Sequence, residues 1–311
     1  MIEVSEDLKI LASQLTDFDL EAYLETVERP LPECVRLNTL KFQEEDVRRF
    51  MQGRGWRLEP IPWARHGYRV LEAPAASLGD TLEHMLGLFY LQGPVSMLPA
   101  EALAPEPCER CLDLCAAPGS KSTQLCQLVG IDGVVVANDV SKTRVKALSF
   151  NLQRWGAVNS IVTLADGRLY GRWAAGMFSK VLVDAPCSSL GVASKDWSVV
   201  RRFRSRQSKR LAPLQLALLE AGYKCLKPGG AIVYSTCTIH PLENEAVVSH
   251  FLERHPEARL EPVRPEGLRV RRPLEEFGSE RFNPDVEKCF KCYPYDNGGE
   301  GFFIAKIVRG E

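Results

Sequence analysis

From about residue 110 onward, short apolar runs alternate with helical stretches, and this alternation constrains the chain more than any other feature. CLDLCA at 111–116, VVVAND at 134–139, SIVTLA at 160–165, KVLVDA at 180–185 and AIVYST at 231–236 each have the length of a strand. Strands interleaved with helices predict a mainly parallel sheet with helices on both faces. LKPGG at 226–230 reads as a helix end and tight turn feeding the fifth strand, and GFFIAKIV at 301–308 reads as a closing edge strand. The Arg-, Pro- and Glu-rich stretch 261–288 reads as a long surface loop.

Upstream lies a smaller unit, expected over 1–78, with the main domain over 79–311. It has helical periodicity over Leu8, Leu11, Leu15 and Phe18, a strand-like CVRLNTL at 34–40, a helix from Gln43, and a short strand YRVLE. Gly53, Gly55, Pro60 and Pro62 punctuate the chain between them, which is compatible with a small two-layer α/β fold.

The whole-chain properties narrow the function classes. With 311 residues, 45% hydrophobic and 25% charged, the chain is that of an ordinary globular protein. It holds no run near the ~20 apolar residues of a membrane helix, and MIEVSEDLK lacks a signal-peptide pattern. Its ten cysteines are scattered, several inside apolar runs, which fits a reduced cytoplasm better than a disulfide scaffold. A net charge of −1 excludes a uniformly basic nucleic-acid binder, so any such contact must come from a local patch. One patch is available: Arg201, Arg202, Arg204, Arg206, Lys209 and Arg210 fall within ten residues. They either grip phosphates or form a solvated helix face. Arg264, Arg269, Arg271 and Arg272 could extend the same path.

The first strand of the main domain ends in Asp113-Leu-Cys115-Ala-Ala-Pro118-Gly119-Ser120-Lys121 and passes into a helix, so backbone amides of a tight turn face the crevice above the strand tips. Asp139 and Asp166 end the second and third strands. Carboxylates at three successive tips are a costly way to build a core, but they suit ribose hydroxyls and an exocyclic amine. They argue against a pyrophosphate or triphosphate, and Gly119-Ser120-Lys121-Ser122 lacks the P-loop spacing. An adenosyl sulfonium cofactor fits better. The next two strands end in Asp184-Ala-Pro-Cys187 and Ser235-Thr-Cys237, which sets two thiols at adjacent tips over one crevice. A lone buried cysteine is ordinarily a small hydrophobe, but a pair beside an Asp-Pro turn is a candidate for chemistry.

DLCAAPGSKS, VLVDAPCSSLG and VYSTCTIHPLENE resemble the motifs of the RNA 5-methylcytosine methyltransferases of the Sun and nucleolar proliferation-antigen family. RLNTLK at 36–41, YLQGPVSMLPA at 90–100 and EGFFIAKI at 300–307 extend the resemblance over essentially the whole chain. It implies a small ferredoxin- or RRM-like N-terminal module on a Rossmann-like class I methyltransferase domain that uses S-adenosylmethionine. It further implies that Cys237 is the nucleophile and that Cys187 assists product release, roles that spacing alone leaves open.

By the same resemblance, Cys115, Ala116, Ala117, Pro118, Gly119, Ser120, Lys121, Asp139, Arg144, Asp166 and Asp184 line the cofactor site. Lys121 could instead orient Asp184 or the base. Arg36 and Asn38, with the basic run, are the expected RNA contacts; a strand-end Arg capping local carbonyls is the competing reading. The chain departs from the usual pattern at Ser120, where a second glycine is frequent, and at Gly93, where an acidic residue usually follows the glutamine. Ser120 is small enough to keep the turn, whereas at Gly93 a role for this segment in ordering Lys121 is not carried over.

The chemistry accounts for a thiol beside an acid. Carbon 5 of cytosine is too weak a nucleophile until a thiolate adds to carbon 6 while an acid near N3 stabilises the ring charge. Asp184 is the candidate for that position, and it must be protonated or share a proton with N3. Cys108-x-x-Cys111 and Cys289-x-x-Cys292 invite a zinc site, but their separation makes packing the better explanation and no metal is expected. Two other readings stay open: a class I methyltransferase with a non-RNA acceptor, which needs no thiol, and a catalytically silent RNA-binding or assembly factor. Nothing in the sequence requires more than a monomer.

Overall fold

The computed structural model describes residues 3–310. Its N-terminal module holds β1 (Cys34–Leu37), β2 (Arg57–Pro60), β3 (Gly67–Glu72) and β4 (Phe89–Leu91), antiparallel in the order β2-β3-β1-β4. The helix Glu44–Gly53 joins β1 to β2, and the short helix Leu82–Met85 precedes β4. This βαββαβ chain order with its strand order is the ferredoxin-like arrangement. β4 lies past the expected boundary at residue 78, so the module runs on through Leu91. β1 alternates its side chains: Val35 and Leu37 join Met51, Trp56 and Phe89 in the module's core, while Arg36 points the other way, at the main domain.

Two helices, Glu6–Gln14 and Leu20–Glu28, precede this sheet without covering it. The Ser5 hydroxyl and Asp19 carboxylate cap them by accepting from the amides of Leu8 and Ala22. Leu8, Leu11 and Tyr23 instead pack against Leu190, Val200, Phe203 and Tyr293 of the main domain.

The main domain carries β5 (Arg110–Asp113), β6 (Val134–Asp139), β7 (Ser160–Leu164), β8 (Phe178–Asp184), β9 (Leu226–Thr236) and β10 (Ala258–Glu261). A two-residue hairpin, β11 (Glu276–Phe277) and β12 (Glu280–Arg281), follows, then β13 (Phe290–Cys292) and β14 (Phe302–Arg309). The large sheet runs β10-β14-β9-β8-β5-β6-β7, with β13 also paired to β14. β5 to β9 are mutually parallel and β14 is antiparallel. The edge position expected for 301–308 is corrected: β14 lies between β9 and β10, and its nearly unbroken apolar run is that of a strand buried on both faces. The Leu226–Gly230 turn is itself drawn into β9, through an irregular register with β8.

Period-two alternation divides the core. Val181, Val183, Ile232 and Tyr234 meet the helices Ser205–Cys225 and Glu245–Arg254. Leu182 and Val233 face the opposite side, where the helix Leu98–Leu103 covers β8 and β9 while Ser120–Val129 and Lys142–Trp155 cover β5 to β7. Each such aliphatic side chain contributes about 1.5–3 kcal/mol on burial. Because the chain runs outward from β5 to β6 and β7 and then crosses back to β8 on the other side of β5, the crevice above the β5 and β8 tips is a topological switch point, the place where ligands sit in open α/β sheets.

Candidate active site

A cavity of about 540 Å³ opens at that switch point. Its wall takes Leu114, Cys115 and Ala117 from the turn after β5, Asn138 and Asp139 from β6, Asp166 after β7, and Asp184 from β8. Arg144, Arg168, Cys187, Ser189 and Cys237 complete it. Of the expected turn residues, Ala116, Pro118, Gly119 and Ser120 shape the loop without lining the cavity. Gly119 supplies the left-handed conformation, φ +108°, from which the helix starts. Ser120 is already helical, so the second glycine frequent there is not needed for a left-handed turn.

The Asp139 carboxylate is buried and accepts from the amides of Ala117 and Ser141, with Arg144 3.4 Å away. Arg144 also donates to the Ala117 carbonyl, which ties the turn to β6. Asp166 is gripped by the Arg168 guanidinium, whose hydrogen bonds hold its carboxyl below the ordinary carboxylate range. Asp113, the third strand-tip acid, is not a ligand group here: it lies under the turn, accepts from the Ser122 hydroxyl at 2.7 Å, and burial pushes it up to about 7. Apolar surface from Leu214 and Leu218 together with the Asp139 and Asp166 carboxylates fits a nucleoside with ribose hydroxyls.

At the other end of the cavity, Cys187 Sγ and Cys237 Sγ stand 3.2 Å apart. The hydrogen bond between them, helped by Lys121 and the Ser189 hydroxyl 3.8 Å from Cys237, lowers the Cys237 thiol from its ordinary range. The same hydrogen bond, with burial and the Glu243 carboxylate, raises Cys187 well above it. Of the two thiols Cys237 is thus the more acidic and Cys187 the less. Asp184 Oδ2 accepts from Lys121 Nζ at 2.7 Å and Oδ1 from the Ser235 hydroxyl at 2.8 Å. Burial disfavours the Lys121 cation, but the Asp184 carboxylate outweighs it and holds the ammonium above its ordinary range. Lys121 thus takes the orienting role toward Asp184 rather than a place in the cavity wall.

Sequence reasoning missed the groups that hold these loops. Glu243 is buried and accepts from the Ser188 amide, the Ser208 hydroxyl and the Gln215 amide, which anchors the Cys187 loop. Asn244 accepts from the Thr236 hydroxyl and donates to the Thr238 carbonyl, bracing the Cys237 turn. Asn138 bridges the Leu114 and Ala165 carbonyls beside the cavity and had no distinguishing signal.

The expected RNA contacts separate into two groups. Arg36 and Asn38 are wholly buried, which corrects that expectation. Arg36 donates to Gln92, Gln127, the Ser120 carbonyl and Thr123, and Asn38 to the carbonyls of Gly87 and Trp155. Both fasten the N-terminal sheet to the main domain. Arg201, Arg202, Arg204 and Arg206 are exposed, Arg201 over the Trp197 ring. Arg264 is spent on the carbonyls of Val263, Glu287, Lys288 and Cys289, and Arg271 on Asp296. Cys108 and Cys111 lie far along the chain from Cys289 and Cys292, the latter two in the core, and among the described residues no cluster of His, Cys, Asp or Glu is placed to hold a metal. No helix among them is long and apolar enough to cross a membrane.

Sheet order and strand-tip cavity together define the class I, S-adenosylmethionine-dependent methyltransferase fold. The comparisons with known proteins narrow it. Residues 100–308 match the model of the 16S rRNA methyltransferase RsmB/F family, and residues 8–94 match the N-terminal domain of 16S rRNA methyltransferase RsmF. The chain belongs to that family. It is 38% identical to the tRNA (cytosine(49)-C(5))-methyltransferase of Pyrococcus abyssi, over 94% of this chain and 92% of that one. It is 36% identical to the ribosomal RNA small subunit methyltransferase F of Shewanella loihica over 99% of this chain, and spans 63% of that relative's length. A crystal structure of a methyltransferase homologue from Pyrococcus horikoshii aligns with a TM-score of 0.84 and 34% identity, covering 98% of this chain and 95% of that one. NSun6 from the same organism, with SFG, shares the fold at 22% identity and a TM-score of 0.84, each chain covered completely.

Proposed function

We propose that this protein methylates carbon 5 of cytosine in RNA through a covalent cysteine adduct, with S-adenosylmethionine as methyl donor. The observation that carries the reading is the Cys187–Cys237 pair, 3.2 Å apart at one end of a nucleoside-sized cavity, beside the Lys121–Asp184 ion pair. Methylation of an amine or amide would use neither thiol. Relatives with the same layout act, by name, on ribosomal RNA and on tRNA, so the acceptor proposed is RNA as a class.

In this reading Cys115, Ala117, Asp139, Arg144 and Asp166 hold the cofactor, which supplies when bound the electrophilic methyl group that carbon 5 attacks. The Cys237 thiolate adds to carbon 6, and the displaced electron pair is delocalised over carbon 5 and the N3–O2 side of the ring. Asp184, fixed by Lys121 and Ser235, faces N3 and shares with it a proton taken up from solvent as the base binds, which neutralises this charge. After transfer the carbon-5 proton leaves to a base, its electron pair restores the ring double bond, and Cys237 departs as thiolate. Cys187, the protonated partner, stabilises that thiolate as it leaves.

A single chain supplies every one of these groups, and all ten cysteines are free thiols. Unmodified RNA containing 5-fluorocytidine tests the reading, because fluorine at carbon 5 cannot depart as a proton does and the adduct stalls. A denaturation-resistant protein–RNA complex is expected from the wild type and not from Cys237→Ala; methylation without any trapped complex would refute the covalent route.

A further inference from the structure

Glu300 is wholly buried in the turn before β14, far in sequence from every group used above. One carboxylate oxygen accepts from the Ser96 amide at 3.0 Å and the other from Lys195 Nζ at 2.5 Å. The carboxylate sits directly on Gly93, where an added Cβ would lie 2.1 Å from both oxygens. The backbone at Gly93 is not in the left-handed region, so what the glycine provides is room for Glu300 rather than a turn.

From this carboxylate, contacts lead to each part of the reaction site. Ser96, whose amide Glu300 fixes, turns its hydroxyl to accept from Lys121 Nζ at 3.2 Å, and Lys121 in turn holds Asp184. Lys195 closes the loop that begins at Cys187. The neighbouring Gly301 amide donates to the Gly191 carbonyl at 2.7 Å, and the Gly191 amide to the Cys237 carbonyl at 2.8 Å. Burying a carboxylate is costly unless it is paired, and this one is paired to the turn whose Ser96 hydroxyl holds Lys121 and to Lys195 in the loop that begins at Cys187.

We propose that Glu300 is a positioning residue that sets Lys121, and through it Asp184 and Cys237, in register for the reaction, and that a carboxylate from position 93 can replace it. The inference rests on the methyltransferase reading only for its activity readout. Glu300→Gln keeps the shape and removes the charge; Glu300→Ala empties the site; Glu300→Ala with Gly93→Asp returns a carboxylate to the same space from the turn after β4.

Two readouts are taken on the intact protein. The first is the pH profile of iodoacetamide alkylation at Cys237, followed by mass spectrometry. It needs no RNA, so it decides the matter even if the wild type proves silent on RNA. With Lys121 misplaced, the profile should move to higher pH by about one unit in Glu300→Gln and Glu300→Ala, and return in the double variant. The second is methyl transfer to RNA, where kcat should fall about 100-fold in Glu300→Ala with KM for S-adenosylmethionine little changed, and recover at least tenfold in the double variant. An alkylation profile that stays in place in folded Glu300→Gln and Glu300→Ala, or a double variant no better than Glu300→Ala in either readout, would overturn the proposal.

Discussion

Cys187 and Cys237 face each other at 3.2 Å with unequal surroundings, Lys121 and Ser189 on the side of Cys237 and Glu243 on the side of Cys187. That inequality makes one thiol acidic at the expense of the other and predicts an order of reaction. Iodoacetamide near neutral pH should label Cys237 first, with Cys187 following only at higher pH; equal labelling would contradict the assignment. In the reaction, Cys237→Ala should lose all methyl transfer, whereas Cys187→Ala should bind RNA, form the adduct and accumulate it, as read by a slow-migrating band on a denaturing gel. Both thiols and Asp184 were legible in the sequence because each ends a strand whose tip must face the crevice. Glu243 and Glu300 were not, because each acts through contacts between segments distant in sequence, which no local pattern reports.

At the level of elements, the parallel strands could be placed from their apolar runs, while two positions in the sheets could not. β4 is three residues long and gains its identity only by pairing with β1, and β14 reads as an edge strand until β10 is found beyond it. Arg36 shows the same limit. Its strand was evident, but the face it presents depends on the helix Ser120–Val129 docking there, where its four partners include Thr123 and Gln127. Burial pulls its guanidinium down to about 9 against the opposing influence of Tyr90 and Glu101, and its hydrogen bonds and the Trp155 ring help to offset the desolvation. Arg36→Met should cost roughly 3–5 kcal/mol of stability, measured by denaturant unfolding, because it strands the buried partners. It should leave the salt dependence of RNA binding unchanged; a changed slope with unchanged stability would restore Arg36 as an RNA contact.

Across the whole molecule, a near-zero net charge leaves any attraction for phosphates to local runs such as the exposed Arg201, Arg202, Arg204 and Arg206. Replacing all four by Gln should flatten the slope of log K against log salt by about 0.7 per lost single-strand phosphate contact, so by up to about 3. The methylated nucleoside should stay the same, since phosphate contacts position without reading bases. An unchanged slope would assign the run to a solvated helix face.

Stability should carry a signature of Asp113, whose carboxyl burial raises from 3.8 to about 7. An acid raised on folding keeps its proton in the native state after the unfolded chain has lost it, so this group's contribution is lost as pH rises from about 4 to about 7. Asp113→Asn should remove that slope and narrow the stability difference between pH 5 and pH 8 in urea titrations; an unaltered pH dependence would place the acid elsewhere.

The central claim is tested most directly by methyl transfer from labelled S-adenosylmethionine into unmodified RNA, followed by nucleoside analysis of the product. The account predicts label in 5-methylcytidine alone, present with the wild type and absent with Cys237→Ala. Label in any other nucleoside, or 5-methylcytidine formed undiminished by Cys237→Ala, would contradict it.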